Sequence, residues 1–402
     1  MGEFLKVLTF QNARNQIIEH FPGSQSETVA LVDAYGRILS DPVTSPEELP
    51  AFSRTTVDGY AVAAEDTFGS SESLPGFLDQ VGEVEMGKPP QVAIGKGQCC
   101  WIPTGGMLPD GANAAVMVEY TEKLGDNTVL VYRPVAPLEN IMQKGEDVAL
   151  GQHLFPAGKR VRPQDIGLMA SLGISTVGVF KPYKIGIIST GDEIIAIQSV
   201  PGPGQIRDVN SHSLAAAVLS CGAIPHQYPV VKDSFDKLKQ AVNQALQEND
   251  AVLISGGSSV GVADYTLDVL LSFPDSELLF HGIAVKPGKP TMAVRIGDKM
   301  VIGLPGHPVS ALMVFYIICA PVLRFTPAQA IDARVTMNIA SQAGRDDFIP
   351  VRLIDAQGGQ KAQPLLGKSG LMSILALADG YIHIPYEKQG IEAGETIRVI
   401  MF

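Results

Sequence analysis

Residues 184–194 read KIGIISTGDEI. Ile185, Ile187 and Ile188 fall on both alternations of Lys184–Ser189, so the run predicts a short strand buried on both faces. The turn Ser189-Thr190-Gly191 follows directly. The carboxyl end of such a strand is where open α/β sheets bind ligands. Gly191 lets a backbone come close, and Thr190 offers a hydroxyl. Asp192 and Glu193 add carboxylates able to hold Mg²⁺ or a ribose. By itself the same pattern is equally a plain turn and helix cap.

Downstream, NSHSLAAAVLSCG (210–222) predicts a helix capped by Asn210 or Ser211 and closed by Gly222. AIPHQYPVV reads as a strand, and Asp233 as the cap of a helix through Glu248. AVLIS (251–255) is a second doubly buried strand, followed by Ser255-Gly256-Gly257-Ser258-Ser259-Val260-Gly261. Successive N–H groups of a Gly/Ser loop form a nest for phosphate oxygens. No Gly-Lys-Ser/Thr ends this loop, so it is not a Walker A sequence, nor is it GxGxxG. Asp264 lies just beyond, placed to hold Mg²⁺. TMAVRI, a Gly-Asp-Lys turn and MVIGL read as a hairpin. Before it, Lys286-Pro287-Gly288-Lys289-Pro290 sets two cations on a stiff segment. After it, Gly303-Leu304-Pro305-Gly306-His307-Pro308 leads into a buried helix, Val309 to Leu323, whose free N–H groups suit an anion. Strand–helix alternation of this kind predicts a doubly wound, mostly parallel sheet.

Upstream, residues 9–20 predict a helix with Ala13, Ile17 and Ile18 on one face. Between about 58 and 135 short β-like pieces are broken by Gly and Pro, and from 330 onward alternating strands return. The chain therefore reads as multidomain α/β plus β. The expected division is an elongated N-terminal arm (1–45 and 145–178), an inserted β-rich domain (46–144), the α/β domain (179–326) and a C-terminal β-barrel (327–402). Ser53 to Ala61 (SRTTVDGYA), with Arg54 and Asp58 four apart, Pro103-Thr104-Gly105-Gly106 and Lys144-Gly145-Glu146-Asp147-Val148 are polar turns first and sites second.

The 402 residues carry 30 basic and 42 acidic side chains, a net charge of −12. That argues against a nucleic-acid partner. The longest uncharged apolar run, 309–323, is too short to span a bilayer. The N-terminus lacks a secretory pattern, so a cytoplasmic location is expected. Four cysteines without a CxxC pair read as buried free thiols. An anionic ligand would need a local cationic cluster.

Taken in order, SRTTVDGYAV, IPTGGMLPDGANAAVMVE, KGEDV, STGDEI, DVNSHSLAAAV, SGGSSVGVADYT, VKPGKPTMAV and GLPGHPVSA resemble the MoeA family of molybdopterin molybdenumtransferases, which includes the E domain of gephyrin. The resemblance implies insertion of molybdate into adenylylated molybdopterin with release of AMP, assisted by Mg²⁺. It implies a homodimer whose site lies between the sheet domain of one subunit and an N-terminal domain of the other, with the upstream adenylyltransferase a candidate partner. Carried over by motif, the functional residues would be Asp58, Thr104, Asp147, Glu193, Asp233, Asp264, Lys286, Lys289, Pro305 and Pro308. Arg345, in GRDDF, is a looser match. Thr190, Gly191, Ser255, Gly256, Gly257 and Ser258 would bind substrate, and Glu193 and Asp264 would hold the metal. Two positions depart from the family: His281 stands where many members have Lys, and His307 where Asn is common. Two rival readings are the adenylyltransferase that prepares the substrate and a scaffold protein. The first would not need SRTTVDGYA or KGEDV, and the second has no use for a ring of carboxylates and lysines.

Overall fold

In the six-residue strand Lys184–Ser189, Ile185 and Ile187 enter one core while Ile188 enters another, all at 1% exposure or less. The neighbouring strand Ala251–Ser255 repeats this, with Ala251 and Leu253 on one face and Val252 and Ile254 on the other. Both faces are covered, as an uninterrupted apolar strand requires. The computed structural model describes residues 7–256, 263–324, 327–356 and 359–402, without the side chains of Ala263 and Asp264.

The chain forms two compact units. The first comprises residues 1–27, 36–38 and 180–402. Its central sheet has the order Ile224–Gln227, Lys184–Ser189, Ala251–Ser255, Lys299–Leu304, Met292–Ile296, Ser276–His281. The first four strands are parallel, and the last two alternate in direction. The helices Asn210–Ser220 and Pro308–Val314 pack on one face, and Phe235–Glu248 and Ala263–Leu271 lie with the other. The hairpin closes through Gly297-Asp298, with Lys299 already in the strand opposite Ile296.

Four local expectations are corrected. Val209, not Asn210 or Ser211, stands at the cap of Asn210–Ser220, and the Asp208 Oδ1 just before it accepts from the Ser211 N–H at 3.1 Å and the Ser189 hydroxyl at 2.9 Å. Asp233 does not cap the Phe235–Glu248 helix; its carboxylate accepts from Thr190 instead. In Phe10–His20 the buried face is Phe10, Ala13 and Ile17, and Ile18 is exposed. The expected helix of 309–323 is also interrupted: Phe315–Cys319 widens to a π turn before Ala320–Leu323. Pro321 has no N–H with which to close the next α-helical bond.

After the α/β part come Ala330–Val335, Asp346–Ala356, Gly359–Pro364, Gly380–Ile384 and Thr396–Met401. These five close into a barrel, because Asp346–Ala356 pairs with both Gly359–Pro364 and Gly380–Ile384.

The second unit, residues 28–35 and 39–179, carries a six-stranded sheet built between Gly59 and Val131. Only two short 3-10 turns interrupt those strands. The helix Pro163–Ser171 completes this unit. Its Asp165 reaches back to the Arg162 N–H at 3.0 Å and pairs with Arg162 and Lys159.

The four cysteines are free and buried, and burial pushes the Cys99 thiol up to about 12. No helix of the described residues is long and apolar enough to cross a membrane.

Candidate functional site

The parallel strands end in register: Ser189 lies beside Ser255, and Ser255 beside Leu304. Thr190-Gly191, Gly256 and Pro305-Gly306 therefore meet at one edge of the sheet. The Thr190 N–H donates to the Ser255 carbonyl at 2.9 Å. Gly256 adopts φ 110°, and a Cβ there would lie 2.0 Å from the Thr190 carbonyl oxygen, so this crossing admits only glycine. Asn210 ties two of the strand ends together. Its Nδ2 donates to Ser255 Oγ at 2.5 Å and to the Gly306 carbonyl at 2.9 Å.

Carboxylates gather at this edge. The Thr190 hydroxyl donates to Asp233 Oδ1 at 3.1 Å, and the Asp233 N–H donates to Asp192 Oδ1 at 3.4 Å. Asp192 and Asp233 also act on Tyr265, whose phenol is pushed up first by desolvation and then by these charges and Asp236. Glu193 is exposed beside them, next to the buried Gly191. Gly257, Ser258 and the Asp264 side chain lie outside the described residues; the Asp264 backbone begins the Ala263–Leu271 helix.

The lysine turn reaches this edge by a different route from the other loops. It precedes its sheet strand, and that strand runs antiparallel, so Met292 enters opposite Gly303. The turn is held by Thr291, whose hydroxyl donates to the Gly288 carbonyl at 2.7 Å and whose N–H donates to the Lys289 carbonyl at 2.9 Å. Gly288, at φ 114°, packs where a Cβ would lie 2.2 Å from Val314 Cγ2.

Lys286, Lys289, Pro305 and Arg345 line one cleft of about 1520 Å³, together with His307 and Ser310. Both lysines are exposed. Arg345 donates to the buried Asp347 at 2.8 Å. Pro308 opens the following helix, but the Val309 N–H already donates to the Ser369 carbonyl at 3.1 Å, so the helix start offers fewer free donors than expected. Lys368 and Ser369, from a Gly-Lys-Ser-Gly turn between barrel strands, line the cleft without being singled out by the sequence. Among the described lining residues four cations, Lys286, Lys289, Arg345 and Lys368, face one carboxylate, Asp347. In a chain at −12 this is a marked local reversal of sign.

Asp58, Thr104 and Asp147 belong to the other unit. Asp58 accepts from both the N–H and the hydroxyl of Thr104, which holds its carboxyl below the usual range. Asp147 is exposed on its turn, its N–H bound to the Leu49 carbonyl at 3.0 Å.

The fold and the cleft define a multidomain α/β and β protein with a cationic cleft beside the carboxyl edge of its sheet. Comparison with known proteins places it more closely. Residues 8–173 match the MoeA N-terminal region (domain I and II), 186–324 a probable molybdopterin binding domain, and 332–402 the MoeA C-terminal region (domain IV). A putative molybdopterin biosynthesis protein of Methanocaldococcus jannaschii is 36% identical, over 93% of this chain and 91% of its own length. The molybdopterin molybdenumtransferase of Haemophilus influenzae is 32% identical, over 98% of this chain and 99% of its own. The crystal structure of a molybdopterin biosynthesis MoeA protein from Pyrococcus horikoshii superposes with a TM-score of 0.86 at 35% identity, covering 98% of this chain and 99% of that one. The chain belongs to the MoeA family.

Proposed function

We propose that this protein is a molybdopterin molybdenumtransferase, inserting molybdate into adenylylated molybdopterin and releasing AMP. The observation that carries the reading is the cleft in which Lys286, Lys289, Arg345 and Lys368 outnumber one carboxylate. Molybdate is a tetrahedral dianion, and the adenylylated substrate carries a pyrophosphate. Lysines are compact point charges that suit an oxyanion with no preferred plane, and the Arg345 fork suits paired oxygens.

The edge formed by Thr190, Gly191, Ser255 and Gly256 would cradle the substrate, with Gly257 and Ser258 extending it. Mg²⁺ would be held by Glu193 and Asp264, with Asp233 beside them. Carboxylate oxygens at a phosphate-binding edge are the donors this ion takes. The described residues alone bring together no group of three such donors, so the fit depends on Asp264. When bound, the metal would polarise the phosphoanhydride. The protein's own part is to hold Asp233 through the Thr190 hydroxyl and to keep the cations on the oxyanion side.

Asp58, Thr104 and Asp147 complete the proposed site from a second subunit of a homodimer, which acts in the cytoplasm. The finer domain division into arm (1–45 and 145–178), inserted β domain (46–144), α/β domain (179–326) and barrel (327–402) belongs to the same proposal. The test is AMP release from adenylylated molybdopterin by the purified protein. Release that requires molybdate supports the reading. No release at saturating molybdate and Mg²⁺ would overturn it, and consumption of ATP instead would point to an adenylyltransferase.

A further inference from the structure

A second pocket, of about 480 Å³, lies in the first unit away from the lysine turn. Its charged side chains are Arg14 from the Phe10–His20 helix, Arg324 just after Ala320–Leu323, and Arg398 from the strand Thr396–Met401. None of the described lining residues is Asp or Glu. Asp346 stands behind the wall, bound to His383 at 2.6 Å, and Asp332 is the cross-strand neighbour of Arg398. Arg14 Nε is buried and has no hydrogen-bond partner among the described residues. A desolvated guanidinium N–H left unpaired is costly, which favours an acceptor entering the pocket.

The walls are aromatic. Tyr316 and Tyr381 line the pocket beside Phe348, which stacks on His383 with centroids 4.7 Å apart. Burial pushes the Tyr381 phenol up to about 12, while Arg324 and Arg14 pull the other way, so both cations lie close to it. Tyr316 sits in the π turn Phe315–Cys319, an irregularity found often at functional sites.

We propose that this pocket binds a small organic anion, a phosphate or carboxylate carried on a flat apolar body. Planar guanidinium forks match paired oxygens, and the aromatic walls take the apolar part. The volume exceeds what a bare oxyanion fills and lies in the range of small-molecule sites.

Calorimetric titration of the full chain with phenyl phosphate, benzoate and inorganic phosphate tests this. Phenyl phosphate or benzoate should bind at least about tenfold more tightly than inorganic phosphate, and whichever of the two is preferred identifies the head group. Arg14→Gln and Arg324→Gln should each weaken binding by about tenfold or more, while Lys286→Ala, in the other cleft, should leave it unchanged. If Arg14→Gln does not fold, the exposed Arg398→Gln carries the same expectation. The proposal is overturned by no binding up to about 10 mM probe, by equal affinity for inorganic phosphate, or by binding lost in Lys286→Ala and kept in the arginine variants.

Discussion

Thr104 donates twice to one oxygen of Asp58: its N–H reaches Oδ1 at 2.6 Å and its hydroxyl at 2.9 Å. Both bonds favour the ionised carboxylate, the backbone one most, and Asp58 is held below its ordinary range. Thr104→Val removes the hydroxyl and keeps the N–H. The Asp58 carboxyl should then titrate at higher pH than in the parent, read by carboxyl-carbon NMR. An unmoved titration would show that the side-chain bond does not form in solution.

Lys286 and His307 line the same cleft. Lys286→Ala should raise the molybdate concentration for half-maximal AMP release by about tenfold or more, and should change half-saturation by the nucleotide substrate less than about threefold. His307→Asn keeps a donor and should stay within about twofold of the parent. Rates measured against molybdate for each variant decide this, and an unchanged molybdate dependence in Lys286→Ala would remove that lysine from the site.

Asp165 supplies a pH dependence of stability. Desolvation raises its pKa, but bonds from Arg162 and Lys159 outweigh it and bring the group to about 2. In the unfolded chain it titrates near ~3.9. A depressed folded pKa adds stability above the unfolded value, and that stability is lost as pH falls from about 4 toward 2. The contribution at neutral pH is about 2 kcal/mol. Asp165→Asn should cost about this much at pH 7 by denaturant unfolding, with the gap to the parent closing as pH falls from about 4 toward 2.

Gly256→Ala should be among the most damaging small substitutions. The added carbon meets the Thr190 carbonyl at 2.0 Å, at φ 110°. The strand end must shift, at a cost of at least about 2 kcal/mol. A thermal melt close to that of the parent would mean that the crossing relaxes easily.

The strand Lys184–Ser189 was legible because an apolar residue on both alternations has few other meanings. The glycines at 191, 256 and 288 were legible as turns. The antiparallel run of Met292–Ile296 was legible from the Gly-Asp turn that joins it to Lys299–Leu304, and that direction is what brings the preceding lysine turn to this edge. Asp233 looked like a cap because it stands just before a helix; its bond to Thr190 spans 43 positions, beyond any local pattern. Ile18 was misplaced because Phe10 and Ile17 already fill the buried stripe, leaving Ile18 at 51% exposure. Lys368 and Ser369 join the cleft through the fold of the barrel, and their short Gly-flanked turn carries no distinctive spacing.

The closure of the C-terminal barrel has a consequence for synthesis. Thr396–Met401 lies between Ala330–Val335 and Gly380–Ile384, so the ring is completed by the last of its five strands in chain order. Until that strand leaves the ribosome, the two flanking strands each keep an open edge. Nascent chains expose that edge for the interval between translation of Gly380–Ile384 and emergence of Thr396–Met401, a window in which strand-to-strand association between neighbouring nascent chains is favoured. Once the ring closes, that hazard ends.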